Sequence, residues 1–239
     1  MFSAFLWGAL AASSLLIGYL VAERGLSNRT IGMVMGFGAG ALISAIAYEL
    51  VPESKIGDWG MAAFFVMGAL AFFVGDWLVD RQGGAHRKSI RGKQEEGSGA
   101  AVFVGTLLDN IPESLVLGMG LSLGGSISVA FLVAVFVSNL PEGIAGTVNL
   151  AAAGHSRRNM LWMWISLVLV SAASAALGYG LIQWLPTADG RLAQAFAAGA
   201  MLTMLADAMM PEAFEHGGKL VGLFTVLGFG VAAALSLLA

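Results

Sequence analysis

Eight stretches of about 20 apolar residues dominate this sequence, and short polar or glycine-rich connections separate them. A helix of that length crosses the hydrocarbon core of a bilayer. The predicted spans are 3–22, 30–52, 59–79, 100–121, 126–151, 160–184, 191–211 and 219–238. Because 58% of the residues are hydrophobic and only 11% are charged, the composition is far from that of a soluble domain. We therefore predict an all-α polytopic membrane protein with one transmembrane domain over 1–239.

The basic residues orient the predicted bundle. All but Lys55 and Arg191 of the 12 Lys and Arg residues fall in the connections that follow the first, third, fifth and seventh spans. Since cytoplasmic connections carry the excess of Lys and Arg, this side is predicted to be cytoplasmic and both termini to lie outside. The long polar connection over about 80–99 is then a cytoplasmic loop. The expected location is the cytoplasmic (inner) membrane, with a multi-pass topology.

Two pairs of segments resemble each other within the chain. "AGALISAIAYELVPES" from Ala39 matches "AGAMLTMLADAMMPEA" from Ala198, and "DNIPES" from Asp109 matches "SNLPEG" from Ser138. In the predicted topology the members of each pair run in opposite directions. The pattern therefore indicates inverted repeats in a 3+2+3 arrangement, as in secondary transporters. Chance similarity between Ala/Gly-rich segments stays an alternative for the first pair.

Acidic residues inside the spans carry the strongest chemical signal. Five of them fall within predicted spans, namely Glu49, Asp109, Glu113, Glu142 and Asp207, and no Lys, Arg or His lies deep in any span. A charged side chain at the bilayer centre costs at least about 2.5 to 3.5 kcal/mol on insertion scales. The carboxylates are therefore expected either to be protonated or to surround a bound cation.

The fourth and fifth spans together supply many oxygen ligands. On each span a glutamate follows two adjacent polar residues by four and three positions, so each set can share one helical face: Asp109, Asn110 and Glu113, then Ser138, Asn139 and Glu142. Pro112 and Pro141 each remove a backbone hydrogen bond and free carbonyl groups at the same level. The set predicts an oxygen-rich site for a divalent cation, because the chain has no cysteine. Kinks stabilised by protonated acids, and a proton relay without metal, are the alternatives.

These motifs resemble the ZIP family of divalent metal transporters, in its bacterial form. The resemblance lies in the eight spans, the basic loop after the third span, and Asn-x-Pro-Glu on both the fourth and fifth spans. It implies a metal site at the membrane centre on a path that opens alternately to each side. The six oxygen-bearing residues of the fourth and fifth spans would be the ligands, and a divalent metal would be the substrate. No enzymatic activity and no cofactor are expected.

The sequence also departs from the family pattern. Members commonly have His where Asp109 stands, and Gln or His and Asp where Ser138 and Asn139 stand. A glutamate that some members supply from the sixth span would fall near Ala175. Zinc is the first expectation by family majority, with manganese or iron next because those metals accept more oxygen ligands. A mononuclear and a binuclear site both stay open.

Further acidic residues are candidates for a path to this site. Glu49, Asp207 and Glu212 lie on the repeat-related second and seventh spans, where they would line the path across the membrane. A buried hydrogen bond that tightens helix packing, or solvation at the interface for Glu212, is the alternative. Asp76 and Asp80 close the third span and are predicted to be interfacial.

Other classes of function compete with metal transport. A proton-coupled carrier of another substrate would use the same carboxylates as relays. An intramembrane metal-dependent hydrolase is disfavoured, because the spans contain no recognisable nucleophile and base pair. The predicted partners are a divalent metal ion and the lipid bilayer, with no nucleic acid, and a homodimer is left open.

Overall fold

The computed structural model describes residues 1–22, 24, 26–51, 59–84, 99–184 and 190–238. This part of the chain contains eight helices long and apolar enough to cross a membrane, numbered here α1 to α8: Phe2–Ala22, Asn28–Leu50, Trp59–Gly83, Gly99–Gly124, Val129–Ala152, Arg157–Trp184, Gly190–Gly217 and Leu220–Leu238. The prediction of an all-helical polytopic membrane protein is confirmed. Most of the loop predicted over about 80–99 lies outside the described residues.

Short connections between the helices follow local sequence signals. Gly125, Gly154 and Gly218 have positive φ angles of 70°, 85° and 64°, and each follows the last turn of a helix. A serine caps the first turn of three helices, α2, α5 and α6, namely Ser27, Ser128 and Ser156. Ser27 accepts a hydrogen bond from the Thr30 amide at 3.1 Å before α2, which satisfies one of the orphan donors of the first turn. Ser128 similarly precedes α5 and caps it.

Two helices contain a π-helical segment at matching positions. Ile46–Leu50 in α2 and Leu205–Met209 in α7 are both five residues long, and they are separated by the same spacing as Ala39 and Ala198. In α7 the segment precedes Pro211, whose missing N–H cannot bond to the carbonyl four residues earlier. A π segment adds one residue to a helical turn and is frequently found at functional sites.

Helix packing encloses α4 and α5. The most extensive contacts join α2 to α8, α3 to α7, α4 to α6 and α1 to α5. The helices α4 and α5 also touch each other, and α1, α2, α6 and α7 cover them. The polar residues of α4 and α5 are therefore carried into the interior of the bundle, while α3 and α8 lie at its periphery.

Glycines allow the closest helix crossings. A methyl group at Gly40 of α2 would overlap the Thr225 carbonyl of α8, and one at Gly199 of α7 would overlap the Phe65 carbonyl of α3. Between membrane helices, small residues replace the hydrophobic effect as the source of close packing. These two crossings therefore hold α8 on α2 and α3 on α7 by backbone contact.

Two acidic residues near the end of the third helix, Asp76 and Asp80, differ in exposure. Asp76 is only 4% exposed and lies on the stripe of α3 that includes Gly68 and Phe72. Gly68 meets the Phe196 backbone of α7, so this stripe faces the bundle. The structure thus buries Asp76 among helices, whereas Asp80 begins a partly exposed π turn at the end of α3.

Candidate metal centre

All six residues predicted as ligands are buried in the bundle interior. Their exposure is 5% or less, and they lie on the two central helices: Asp109, Asn110 and Glu113 on α4, and Ser138, Asn139 and Glu142 on α5. Carboxylate and amide groups are rarely buried to this degree unless they are hydrogen-bonded, paired or bound to a metal, because burial removes their hydration. The structure therefore places every predicted ligand where water is excluded.

On α4, the helix itself fixes one of the two amides. The Asn110 Nδ2 group donates a hydrogen bond to the Thr106 carbonyl at 3.0 Å, and the Thr106 hydroxyl donates to the Val102 carbonyl at 2.9 Å. Since the amide nitrogen bonds back to its own helix, the Asn110 Oδ1 atom points away from it. Among the described residues, that oxygen has no hydrogen-bond partner. It is available to a ligand.

On α5, the second amide is free at both atoms. Neither Oδ1 nor Nδ2 of Asn139 has a hydrogen-bond partner within the described part of the chain. The adjacent Ser138 hydroxyl donates to the Val135 carbonyl at 2.9 Å, which leaves its oxygen lone pairs open. An unpaired buried amide costs roughly 1 to 3 kcal/mol. A bound cation would offset part of this cost at the oxygen.

Neighbouring helices hold this region rigid by backbone contact. Gly143, next to Glu142, packs on Leu15 of α1, where an added methyl group would come within 2.5 Å of the Leu15 carbonyl. On the other side, Gly118 of α4 packs on the Ala175 backbone of α6. Ala175 is itself buried, so the position where some family members would supply a glutamate is apolar and filled.

The donor set is rich in oxygen and poor in nitrogen. No Lys or Arg is among the buried polar residues that the structure describes. Over the same residues, no three His, Asp or Glu side chains are grouped so that they could hold one metal ion. A cation in this region would therefore need amide, hydroxyl or carbonyl oxygen in addition to carboxylate. Such a set fits divalent metals that accept oxygen ligands.

Glu49 lies on a different helix from the six predicted ligands, in the π segment of α2. Its Oε1 atom accepts a hydrogen bond from the Ser236 hydroxyl of α8 at 2.8 Å. The side chain is partly exposed and lines a cavity of about 280 Å³. Gln194 of α7 lines the same cavity, and sequence reasoning did not single it out, although it is a polar residue within an apolar run.

The two other path candidates lie further along α7. Asp207 is exposed and lines a separate cavity of about 300 Å³ with Phe73 of α3 and Thr203. Glu212 pairs with His216 within the same helix, since the His216 Nδ1 atom lies 2.9 Å from the Glu212 carbonyl oxygen and 3.4 Å from its carboxylate. Neither belongs to the cluster on α4 and α5, so each stays a candidate for the path alone.

Fold and site together define a polytopic helical membrane protein whose interior contains buried oxygen-bearing side chains on α4 and α5. No family model matches the chain. The chain is 29% identical over 203 residues to an Arabidopsis thaliana protein that is named as a zinc transporter. This match covers 80% of the chain. The chain spans only 31% of the length of that plant protein.

Bacterial relatives match over more of their length. The chain is 26% identical over 261 residues to the zinc transporter ZupT of Streptococcus mutans, with 100% of this chain and 97% of the relative covered. It is 28% identical over 254 residues to the zinc transporter ZupT of Escherichia coli, with 93% of each covered. The similarity therefore extends over essentially the whole of this chain.

Proposed function

We propose that this protein is a secondary transporter of a divalent transition-metal cation, with zinc as first choice and manganese or iron next. The observation that carries the proposal is the buried set of six oxygen-bearing residues on α4 and α5. The names of the relatives support zinc. The oxygen-rich set of donors is also compatible with manganese or iron. We propose no catalytic role.

The proposed architecture is a 3+2+3 arrangement of inverted repeats. If α1, α2 and α3 correspond to α6, α7 and α8, and α4 to α5, the contact of α2 with α8 corresponds to that of α7 with α3. The contact of α1 with α5 likewise corresponds to that of α6 with α4. All four pairs are among the most extensive in the bundle. Both termini are proposed to lie outside a cytoplasmic (inner) membrane, as the distribution of basic residues favours.

The proposed ligands divide by chemistry. Glu113, Glu142 and Asp109 would supply negative charge, while Asn110 and Asn139 would supply neutral amide oxygen. The Ser138 hydroxyl would complete the set. Because protons and metal ions compete for carboxylates, transport is expected to weaken as the solution becomes more acidic.

Transport would follow from alternating exposure of this site. The flanking repeats would move against the central helices, and the cation would meet water from one side at a time. Glu49, Asp207 and Glu212 are proposed to line the path on either side of the site. An inside-negative membrane potential favours inward movement of a cation by about 2.3 kcal/mol per charge per 100 mV. We therefore propose uptake as the direction.

Flux measurements in proteoliposomes test the proposal. Wild-type protein is expected to move zinc, manganese, iron or cadmium down a gradient, and Glu113→Gln and Glu142→Gln each to reduce the flux by about 100-fold or more, since each removes a charged ligand. Glu215→Gln, at an exposed position of α7, is the matched control and is expected to keep the wild-type flux. Unchanged flux in both site variants would contradict the central site, and proton movement without metal movement would favour a proton-coupled carrier.

Asn139→Leu separates a ligand role from a structural one. Because neither amide atom has a hydrogen-bond partner among the described residues, leucine removes an unsatisfied buried group and should not lower thermal stability. If Asn139 is a ligand, metal flux should nevertheless fall by about tenfold or more. Flux and melting temperature are measured on the same preparation. A stable variant that keeps full flux would exclude Asn139 as a ligand.

A further inference from the structure

The cavity beside Glu49 is built from five helices, α2, α4, α5, α7 and α8, and the α4–α5 connection. It has a volume of about 280 Å³ and reaches from the exposed α4–α5 connection to the side of α4. Its polar lining consists of one carboxylate, one amide and several hydroxyls: Glu49, Gln194, Ser126, Ser128, Ser236 and Tyr48. Convergent polar groups in an otherwise apolar cavity are the usual mark of a binding site for a small ligand.

Glu49 and Gln194 supply the carboxylate and the amide of this lining. The Ser236 hydroxyl donates to Glu49 Oε1 at 2.8 Å, so α8 orients the carboxylate that the π segment of α2 presents. Gln194 is 1% exposed and enters the cavity from the first turns of α7. A glutamine buried to this degree inside an apolar helix is costly unless its amide meets a polar partner. The fold therefore orients the Glu49 carboxylate, and it buries Gln194 in the cavity wall.

The cavity ends close to the proposed central site. Leu117 of α4 lines the cavity, and Glu113 lies four residues earlier on the same helix, about 6 Å along its axis. Beyond Leu117, the same lining includes Gly120 and Gly124, where an added methyl group would meet nothing within 4 Å. The α4 side of the cavity is thus open at Gly120 and Gly124, and the buried Val116 and Leu117 come next along the helix toward Glu113.

We propose that this cavity is a loading site in which Glu49 and Gln194 hold a hydrated divalent cation before it reaches the central ligands. Six water molecules occupy roughly 180 Å³ at about 30 Å³ each, so a cation with its first hydration shell fits. One carboxylate and one amide would bind through oxygen, partly by way of that shell. Because this set of ligands is small, the cation would bind weakly enough to leave again. Conduction along a path requires such weak binding.

The proposal rests on the proposed metal transport, and kinetics distinguish the two. A loading site governs capture at low metal concentration, so its loss should raise KM and leave the maximal rate within about twofold. Loss of a central ligand instead lowers the maximal rate. A residue that only supports packing would lower the amount of folded protein without this change in KM.

The test is zinc uptake into proteoliposomes over a range of concentrations. We expect Glu49→Gln and Gln194→Leu each to raise KM by about tenfold, equivalent to about 1.4 kcal/mol of binding free energy. Gln194→Glu adds a charged oxygen at the same place and should lower KM. Gln183→Leu is the matched control, because Gln183 lies on α6 and bonds to Ser122 at 3.0 Å, away from the cavity. Its KM should equal that of the wild type.

Each outcome decides the proposal. If Glu49→Gln and Gln194→Glu keep the wild-type KM while Glu113→Gln loses flux, the loading site is wrong and the central site stands. If the wild type moves no divalent metal, the proposed function fails and the loading site with it. Should Gln194→Leu prove unstable, the other two variants still decide, because both retain a polar side chain of the original length.

Discussion

Helices α2 and α7 have the same backbone but different side chains at their π segments. Ile46–Leu50 and Leu205–Met209 show one order of exposure: a buried residue, two exposed residues, a partly exposed residue and a buried residue. Both segments have alanine at the first exposed position, Ala47 and Ala206, and the side chains differ at the next two positions. Tyr48 stands where α7 has Asp207, and Glu49 stands where it has Ala208.

This difference gives the two segments different chemistry. Tyr48 packs at 6.0 Å from the Phe229 ring, and Glu49 beside it faces the cavity that also contains Gln194. Asp207 instead lines a cavity whose other lining residues, Phe73, Leu202, Thr203 and Ala206, are mainly apolar. The two π segments therefore share backbone form and order of exposure, but they differ in charge and in the cavities that they line.

The largest expected effect concerns the shared geometry. Gly40→Ala and Gly199→Ala each place a methyl group against a backbone carbonyl, of Thr225 and Phe65 respectively. Because backbone cannot move aside as a side chain can, each helix pair must separate. We expect both variants to lower the melting temperature by similar amounts, about 5 to 10 °C. Thermal unfolding in detergent, followed by fluorescence, measures this.

Gly230→Ala is the control for those two variants. An alanine there meets nothing within 4 Å, and replacing glycine inside a helix stabilises by about 0.5 to 1 kcal/mol. The control should therefore melt at the wild-type temperature or slightly above it. If Gly40→Ala is severe and Gly199→Ala is harmless, the two crossings are not equivalent, and the comparison between α2 and α7 loses its structural basis.

A smaller effect concerns the unequal chemistry. Glu49→Gln is expected to raise the KM for metal, whereas Asp207→Asn should leave KM unchanged and lower the maximal rate by about threefold, because Asp207 lines a different cavity. Initial rates of uptake at several metal concentrations separate the two parameters. Equal changes of KM in both variants would mean that the two segments act alike and that their different side chains do not matter.

The sequence predicted the spans and the central acids for a physical reason. Runs of about 20 apolar residues are long enough to dominate the local signal, and Asp109, Glu113 and Glu142 stand out because they are acidic residues in spans that have no Lys, Arg or His deep inside. The π segments could not be predicted in this way. A shift from an i−4 to an i−5 hydrogen bond leaves hydropathy unchanged, and the Pro211 signal alone does not distinguish a kink from a bulge.

Burial of a side chain by a neighbouring helix also could not be predicted from the sequence. Asp76 and Gln194 are covered only because α3 packs on α7 and because α7 begins beside the end of α4. The register of the central pair shows the same limit. Glu113 and Glu142 are 29 positions apart, whereas Gly118 and Gly143, which meet the backbones of α6 and α1, are 25 apart. The acidic motifs and the glycine contacts thus have different spacings on α4 and α5, which the sequence pattern alone does not reveal.

The smallest perturbation concerns which end of the bundle faces outward. The chain has no cysteine, so one introduced cysteine gives the only thiol signal. Ser126 and Ser156 are both exposed, and α5 alone separates their connections. Ser126→Cys should react with a membrane-impermeant maleimide added to intact cells, and Ser156→Cys only after the membrane is opened. The reverse pattern would place the Glu49 cavity on the cytoplasmic side and make it the release end of the path, whereas labelling of both from outside would contradict a span over α5.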